Sequence, residues 1–280
     1  EAEVKRALPA ARPGTAPGLD GIPSDLYRSC QAILLPLFSA LFTAIGTTGS
    51  LPPGFHDGVI TSLYKKGDRA QPGNYRPITL LNSDYRLLAR VLANRLSAHL
   101  PAAISPEQAA FLKGRHMGEN VLLLQLLPHL LQRQGRWALV AFCDFVKAYD
   151  TVDRGFLLSI MSHLGVGKGF LRWVSLLLTN TRACALVNGH LSPFANFATG
   201  VCQGCPLAPL LYLFVGQALL CFLQSRGIGI PAAGRSLSAA QYADGFKAFL
   251  GGLDQVPAFF AAMQRFGDAS GQRLDPAKTQ

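Results

Sequence analysis

The chain has 280 residues, 49% of them hydrophobic and 15% charged, and carries a formal net charge of +10. That balance excludes a disordered tail, and at ~150 residues per domain the length allows two lobes. The basic excess admits a polyanionic partner, because Lys and Arg that neutralise phosphates release condensed counterions.

In chain order, Glu1 to Arg12 is mixed in charge and rich in Ala and Pro, unlike a secretory signal. The Pro/Gly-punctuated stretch ARPGTAPGLDGIPSDLYRSC reads as a loop entering a helix near Ser24. Leu26, Ile33, Leu34, Leu37, Leu41 and Ile45 then recur at helical spacing and are expected to face the core, up to Gly46–Gly49. Val59 to Tyr64 predicts a strand, and Lys65, Lys66, Gly67 and Asp68 turn the chain back toward Asn74, Tyr75, Arg76, Pro77 and Ile78.

Asn82 or Ser83 caps a helix with Leu88, Leu92, Leu96 and Leu100 on one stripe and Arg86, Arg90 and Arg95 off it, ended by Pro101. From Lys65 to Arg115 nine basic residues face three acids, so +6 of the net charge is concentrated there. Pro128 falls inside the next helical pattern, where proline costs roughly 3 kcal/mol, so a kink or break is expected.

The unbroken apolar run Trp137 to Cys143 predicts a strand buried on both faces, with Asp144 at its C-terminal edge. A carboxylate there must be paired, hydrogen-bonded or bound to a cation. The bland alternative is a helix cap. Helices over Arg154–Leu164 and Lys168–Thr179 follow, then a strand Arg182–Val187 ended by Asn188-Gly189, a hairpin turn.

The apolar run Cys205 to Leu223 approaches the ~20 residues of a membrane span. Pro206, Pro209 and Gln217 interrupt it, so a buried core helix is expected and no membrane partner. QYADGFKAFL, Gln241 to Leu250, predicts a β-hairpin with Asp244 at its tip and Asp-Gly as a type I′ turn. Asp254 caps a last helix, Val256 to Phe266. Six cysteines (Cys30, Cys143, Cys184, Cys202, Cys205, Cys221) lie mostly in apolar runs, as free thiols of an intracellular, reducing compartment do. Cys202 and Cys205 lack the second ligand pair that zinc needs.

Several of these stretches, in this order, resemble reverse transcriptases of non-LTR (LINE-like) retrotransposons. Pro17 to Pro23 matches the family's Pro-Gly-x-Asp-Gly-(Ile/Leu)-Pro, and Lys65 to Ile78 its Lys-Lys-Gly-Asp with Asn-Tyr-Arg-Pro-Ile. Phe111 to Gly118 is similar to Gly-Phe-x-x-Gly-Arg, with Ala110 where Gly is common. GVCQGCPLAPLL, Gly200 to Leu211, is the most specific match, and Cys202 replaces its usual Arg. Tyr242, Ala243, Asp244 and Gly245 stand where the family has Tyr-Ala-Asp-Asp, and Gly271 to Thr279 resembles Gly-Leu-x-Leu-Asn-x-x-Lys-Thr. The resemblance covers essentially the whole chain.

It implies an α+β right-hand polymerase fold of fingers and palm, an antiparallel palm sheet backed by helices, without a thumb. Residues 1–50 would be a lead segment and helix, 51–135 the fingers and 136–280 the palm. The implied function is RNA-directed DNA synthesis onto a primer 3′-hydroxyl. Its partners are an RNA template, a DNA primer and deoxynucleoside triphosphates, and its cofactor is two Mg2+ or Mn2+ ions. Asp144, Asp244 and the Phe145 carbonyl would hold metal. Lys65, Lys66 and Arg76 would hold the triphosphate, Tyr149 would exclude a ribose 2′-hydroxyl, and Gln203 and Gly204 would approach the nascent base pair. Lys278 would protonate pyrophosphate. A nuclear location follows from the resemblance alone. Gly245 removes an expected ligand, so the alternative is an inactive, nucleic-acid-binding remnant.

Overall fold

The computed structural model describes residues 1–8, 14–232 and 234–280, so Ala11–Pro13 of the expected lead loop lies outside the described residues. The elements begin with α1 (Ala2–Ala7), α2 (Ser24–Ser29), α3 (Gln31–Thr48), β1 (Gly58–Tyr64), β2 (Tyr75–Leu81), α4 (Ser83–Ser97), α5 (Leu100–Ala103) and α6 (Met117–Arg133). Next come β3 (Leu139–Cys143), α7 (Ala148–Thr151), α8 (Arg154–His163), α9 (Lys168–Leu178), β4 (Arg182–Val187), β5 (His190–Leu191) and β6 (Ala195–Asn196). The chain closes with α10 (Ala208–Ser225), β7 (Ile230–Ala232), β8 (Arg235–Leu237), β9 (Ala239–Tyr242), β10 (Gly245–Leu250) and α11 (Gln255–Ser270). They form two compact units, each discontinuous in sequence: Glu1–Leu96 with Gly165–Ala208, and Ser97–Leu164 with Pro209–Gln280.

In the first unit β1 pairs antiparallel with β2 and parallel with β4, and β5 and β6 add to β4. Asn188 and Gly189 have φ of 50° and 83°, the two left-handed residues a type I′ turn demands. Leu88, Leu92 and Leu96 of α4 are buried as their spacing predicts. Leu100 is buried too, but it belongs to the second unit, where it opens α5 with Pro101 in the first turn, so that the missing N–H is harmless.

The stripe expected for α3 is corrected. The helix near Ser24 breaks at Cys30, and Ile33 and Leu37 are 69% and 59% exposed, while Leu35, Phe38, Phe42 and Ile45 are buried. The segment is apolar nearly all round, which leaves leucine spacing with little directional information. Ring packing of Tyr27 on Phe38 and of Phe38 on Phe42, at 4.9 and 5.9 Å, sets the buried face instead.

In the second unit β3, β10 and β9 form an antiparallel sheet. Leu127 and Leu131 of α6 pack with Ile230, Leu237, Ala240 and Phe249. The apolar helix α10 is largely buried, with Leu213, Phe214, Leu220 and Leu223 essentially sealed. Two expectations are corrected. α6 does not break at Pro128, an exposed residue: the burial of Leu127 and Leu131 on its other side holds the helix together despite the lost hydrogen bond. β3 is not buried on both faces: Phe142 is 46% exposed and Trp137, outside the strand, 57%. A three-stranded antiparallel sheet need not be covered throughout: α6 covers the face of Val140 and Phe249, and the uncovered part of that face, at Phe142, leads to Asp144.

Candidate active site

Phe246 pairs with Cys143 in the β3–β10 ladder, and one more step of that register sets Asp144 opposite Gly245. The other edge of β3 is taken by the end of the chain. Phe142 exchanges both backbone hydrogen bonds with Gln280, at 2.8 and 3.0 Å, and Val146 N–H donates to the Arg273 carbonyl at 2.9 Å. Between these paired stretches the segment bulges into a turn, in which Lys278 N–H donates to the Asp275 carbonyl at 3.1 Å. The turn brings Lys278 over Asp144. Its Nζ lies 2.7 Å from Asp144 Oδ2 and 3.0 Å from Asp275 Oδ2. Asp144 first and Asp275 second hold the ammonium above the usual lysine range, and Lys278 in turn holds the Asp275 carboxyl below its usual one. The Phe145 N–H donates to Asp144 Oδ1 at 3.1 Å, so both carboxylate oxygens have partners.

Asp244 sits at the tip of the β9–β10 hairpin, where Gly245 pairs with Tyr242. The type I′ expectation is corrected: Ala243, with φ of 56°, is left-handed, whereas Gly245 is not. Gln108, fully buried, clamps that strained residue. Its side-chain oxygen accepts from Ala243 N–H at 3.1 Å and its amide donates to the Ala243 carbonyl at 3.3 Å. Arg115 fixes the loop carrying Gln108 by donating to the carbonyls of Ile104, Ser105 and Gln108 at 2.6 to 2.9 Å. Sequence reading missed Gln108, because only the fold brings it to the hairpin.

Tyr149, on α7, stacks on Tyr212 of α10 with ring centroids 4.7 Å apart. Burial, then the charge of Asp244, raises the Tyr149 hydroxyl pKa. Burial, then Asp244, Tyr149 and Asp144, raises that of Tyr212, so both carboxylates act on one buried hydroxyl. The Phe145 ring is buried and stacks on Phe246 at 5.3 Å. Its backbone bridge to Leu274 uses the Asp144 carbonyl and the Val146 N–H.

The remaining expected site residues belong to the first unit. Lys65 and Lys66 stand exposed in the β1–β2 connection, and Arg76 exposed on β2 opposite Leu63. Tyr64 stiffens that connection by donating to the Gly67 carbonyl at 2.6 Å, with Arg69 4.7 Å over its ring. The Gln203 carbonyl accepts from Thr79 N–H at 2.8 Å. Gly204, at φ of 126°, leaves no room for a Cβ, which would lie 2.3 Å from the Thr79 carbonyl oxygen. Packing against β2 therefore already requires a glycine there.

Carboxylate oxygens are the hard donors Mg2+ prefers, and Asp144 already receives a cationic group, so the donor chemistry fits a divalent ion. Among the described residues no three Asp, Glu, His or Cys side chains cluster to hold one unaided. Substrate phosphates and water would complete the coordination.

The reverse transcriptase (RNA-dependent DNA polymerase) family matches residues 64–280. The chain is 31% identical over 228 residues to the transposon TX1 uncharacterized 149 kDa protein of Xenopus laevis, covering 81% of this chain and 17% of that protein. It is 28% identical over 280 residues to the retrovirus-related Pol polyprotein from type-1 retrotransposable element R2 of Popillia japonica, covering 99% of this chain and 38% of that protein. The chain thus spans well under half the length of these relatives. Apo telomerase from Candida tropicalis shares the fold, with a TM-score of 0.56 at 13% identity over 88% of this chain and 55% of that one.

The chain belongs to the reverse transcriptase family. Within it, as its motifs indicate, it is a domain of the non-LTR retrotransposon type.

Proposed function

We propose that this domain extends a DNA primer along an RNA template with deoxynucleoside triphosphates, and that the second unit's sheet is the palm surface on which this occurs. The observation that carries the reading is Asp144, at the end of β3, beside the hairpin that bears Asp244, with an ammonium already on its outer oxygen. When bound, two Mg2+ or Mn2+ ions would activate the primer hydroxyl and neutralise triphosphate charge. Asp144, Asp244 and the Phe145 carbonyl are the groups to hold them. Lys278 has its proton in place, and Asp275 keeps it within reach of Asp144, where it would be donated to departing pyrophosphate. Lys65, Lys66 and Arg76 are exposed cations suited to triphosphate oxygens, the arginine as a planar fork and the lysines as point charges. Tyr149, braced on Tyr212, would close the space beside the sugar. Gln203 and Gly204 would line the nascent pair. The labels of lead segment for 1–50, fingers for 51–135 and palm for 136–280 belong to this proposal.

A second reading is favoured by one observation. Gly245 leaves the position facing Asp144 without an oxygen ligand, so the domain would bind nucleic acid and not extend it. Primer extension on an RNA template with Mg2+ or Mn2+ decides. Extension that Asp144→Ala abolishes supports the polymerase. Binding without extension supports the remnant.

A further inference from the structure

A cavity of 370 Å³ lies in the first unit behind the Gly204 loop, and Arg86, Arg90, Ser24, Ser83, Thr15 and Tyr27 are among its lining residues. Among the described residues no acidic side chain lines it. Arg86 is half-buried, and its Nη2 donates to Ser83 Oγ at 3.0 Å and to Ser24 Oγ at 3.3 Å. Its Nε is sealed from solvent and has no hydrogen-bond partner. Among the described residues Arg86 has no ion pair; Asp20 acts on it only through space, and the neighbouring Arg90 repels it.

A guanidinium half removed from water without a counter-charge is costly. The two hydroxyls hold the guanidinium plane by Nη2, and with Nε sealed it is Nη1 that is left for a ligand. Two guanidiniums, four hydroxyls (Thr15, Ser24, Tyr27 and Ser83) and, among the described residues, no carboxylate fit an anion with more acceptor atoms than a carboxylate has. Phosphate, with tetrahedral oxygens and a matching fork geometry, satisfies that description. The volume is ample for a phosphate group and part of what it is attached to.

We propose that this cavity is a phosphate-binding site in which Arg86 and Arg90 hold one phosphate group, with the Ser24 and Ser83 hydroxyls orienting Arg86. The phosphate belongs either to the backbone of a nucleic-acid strand or to a free phosphate-bearing small molecule. The proposal stands on the cavity itself and does not require that the domain polymerise anything.

The test compares the wild-type chain with Arg86→Met. Thermal melting is read with inorganic phosphate against chloride at matched ionic strength, and binding of a short single-stranded RNA is read across a salt series. If the source is a small molecule, phosphate raises the wild-type melting temperature and leaves Arg86→Met unmoved. If the source is a strand, phosphate alone does little. Arg86→Met then binds RNA about tenfold more weakly, and its log-log salt slope falls by about one. Equal responses of the two proteins in both arms overturn the proposal. Should Arg86→Met fail to fold, Arg86→Gln replaces it, keeping a donor for the serine hydroxyls and losing the charge. A Gln protein that responds like wild type in both arms is equally fatal. RNA binding absent from the wild type would contradict the polymerase reading, whereas an Arg86-dependent response to inorganic phosphate would leave this site standing.

Discussion

Gly245 is the residue at which this chain departs furthest from the chemistry proposed for it, and the surrounding space admits a side chain. Its φ is not left-handed, and an added Cβ would meet only the Tyr242 carbonyl oxygen, at 3.6 Å. Gly245→Asp is therefore expected to fold. Two carboxylates facing each other across a ladder repel, so the variant should melt below wild type in chelator and gain more than wild type from added Mn2+. Differential scanning fluorimetry reads both, and a variant indifferent to Mn2+ would mean that no ion binds between positions 144 and 245. Tyr149 allows a second comparison. Tyr149→Phe keeps the ring on Tyr212 and should keep sugar discrimination, while Tyr149→Ala should admit ribonucleotides at least about tenfold more readily. Measured against the stacking geometry, equal incorporation ratios in the two variants would reduce Tyr149 to packing.

At the scale of elements, the Asp244 hairpin depends on a clamp from elsewhere. Ala243 holds a left-handed conformation that costs a non-glycine residue about 1 kcal/mol or more, and Gln108 holds both its backbone groups. Gln108→Ala is expected to lower activity by about one to two orders of magnitude and to lower the melting temperature as well, because the backbone groups it holds are left without partners. Faster amide exchange confined to Ala243–Gly245 would mark the loosened tip. Unchanged exchange there would show that the turn holds itself. The hairpin was legible in QYADGFKAFL because alternation and turn residues are local signals. The clamp was not, since Gln108 and Ala243 are 135 residues apart. Asp-Gly misdirected the turn type for a related reason: tertiary hydrogen bonds made Ala243 the left-handed residue. Likewise, the spacing of the α3 leucines misleads because that helix is apolar nearly all round, whereas the α4 stripe, with arginines off it, is legible as far as Leu96, and only the helix's end is misplaced.

Over the whole molecule, a count of basic residues overstates the free charge. Arg95 is spent on a bidentate pair with Glu3, at 2.6 and 2.7 Å, and Arg115 on loop carbonyls. Lys65, Lys66, Arg69 and Arg76 remain exposed. Primer–template binding should fall steeply with salt, and neutralising Lys65 and Lys66 together should lower the log-log slope by about two. A slope unchanged by that substitution would place the contact elsewhere. The interleaving of the two units was hidden from a linear reading, because Gly165–Ala208 joins the first unit through strand pairing of β4 with β1. The central claim is that the Asp144 and Asp244 platform is a polymerase site lacking one oxygen ligand. Primer extension on an RNA template by Gly245→Asp tests it most directly. The account predicts at least about tenfold more extension than wild type, or about 1.4 kcal/mol of transition-state stabilisation, abolished when Asp144→Ala is added. A folded Gly245→Asp protein that binds primer–template and extends no better than wild type would contradict it.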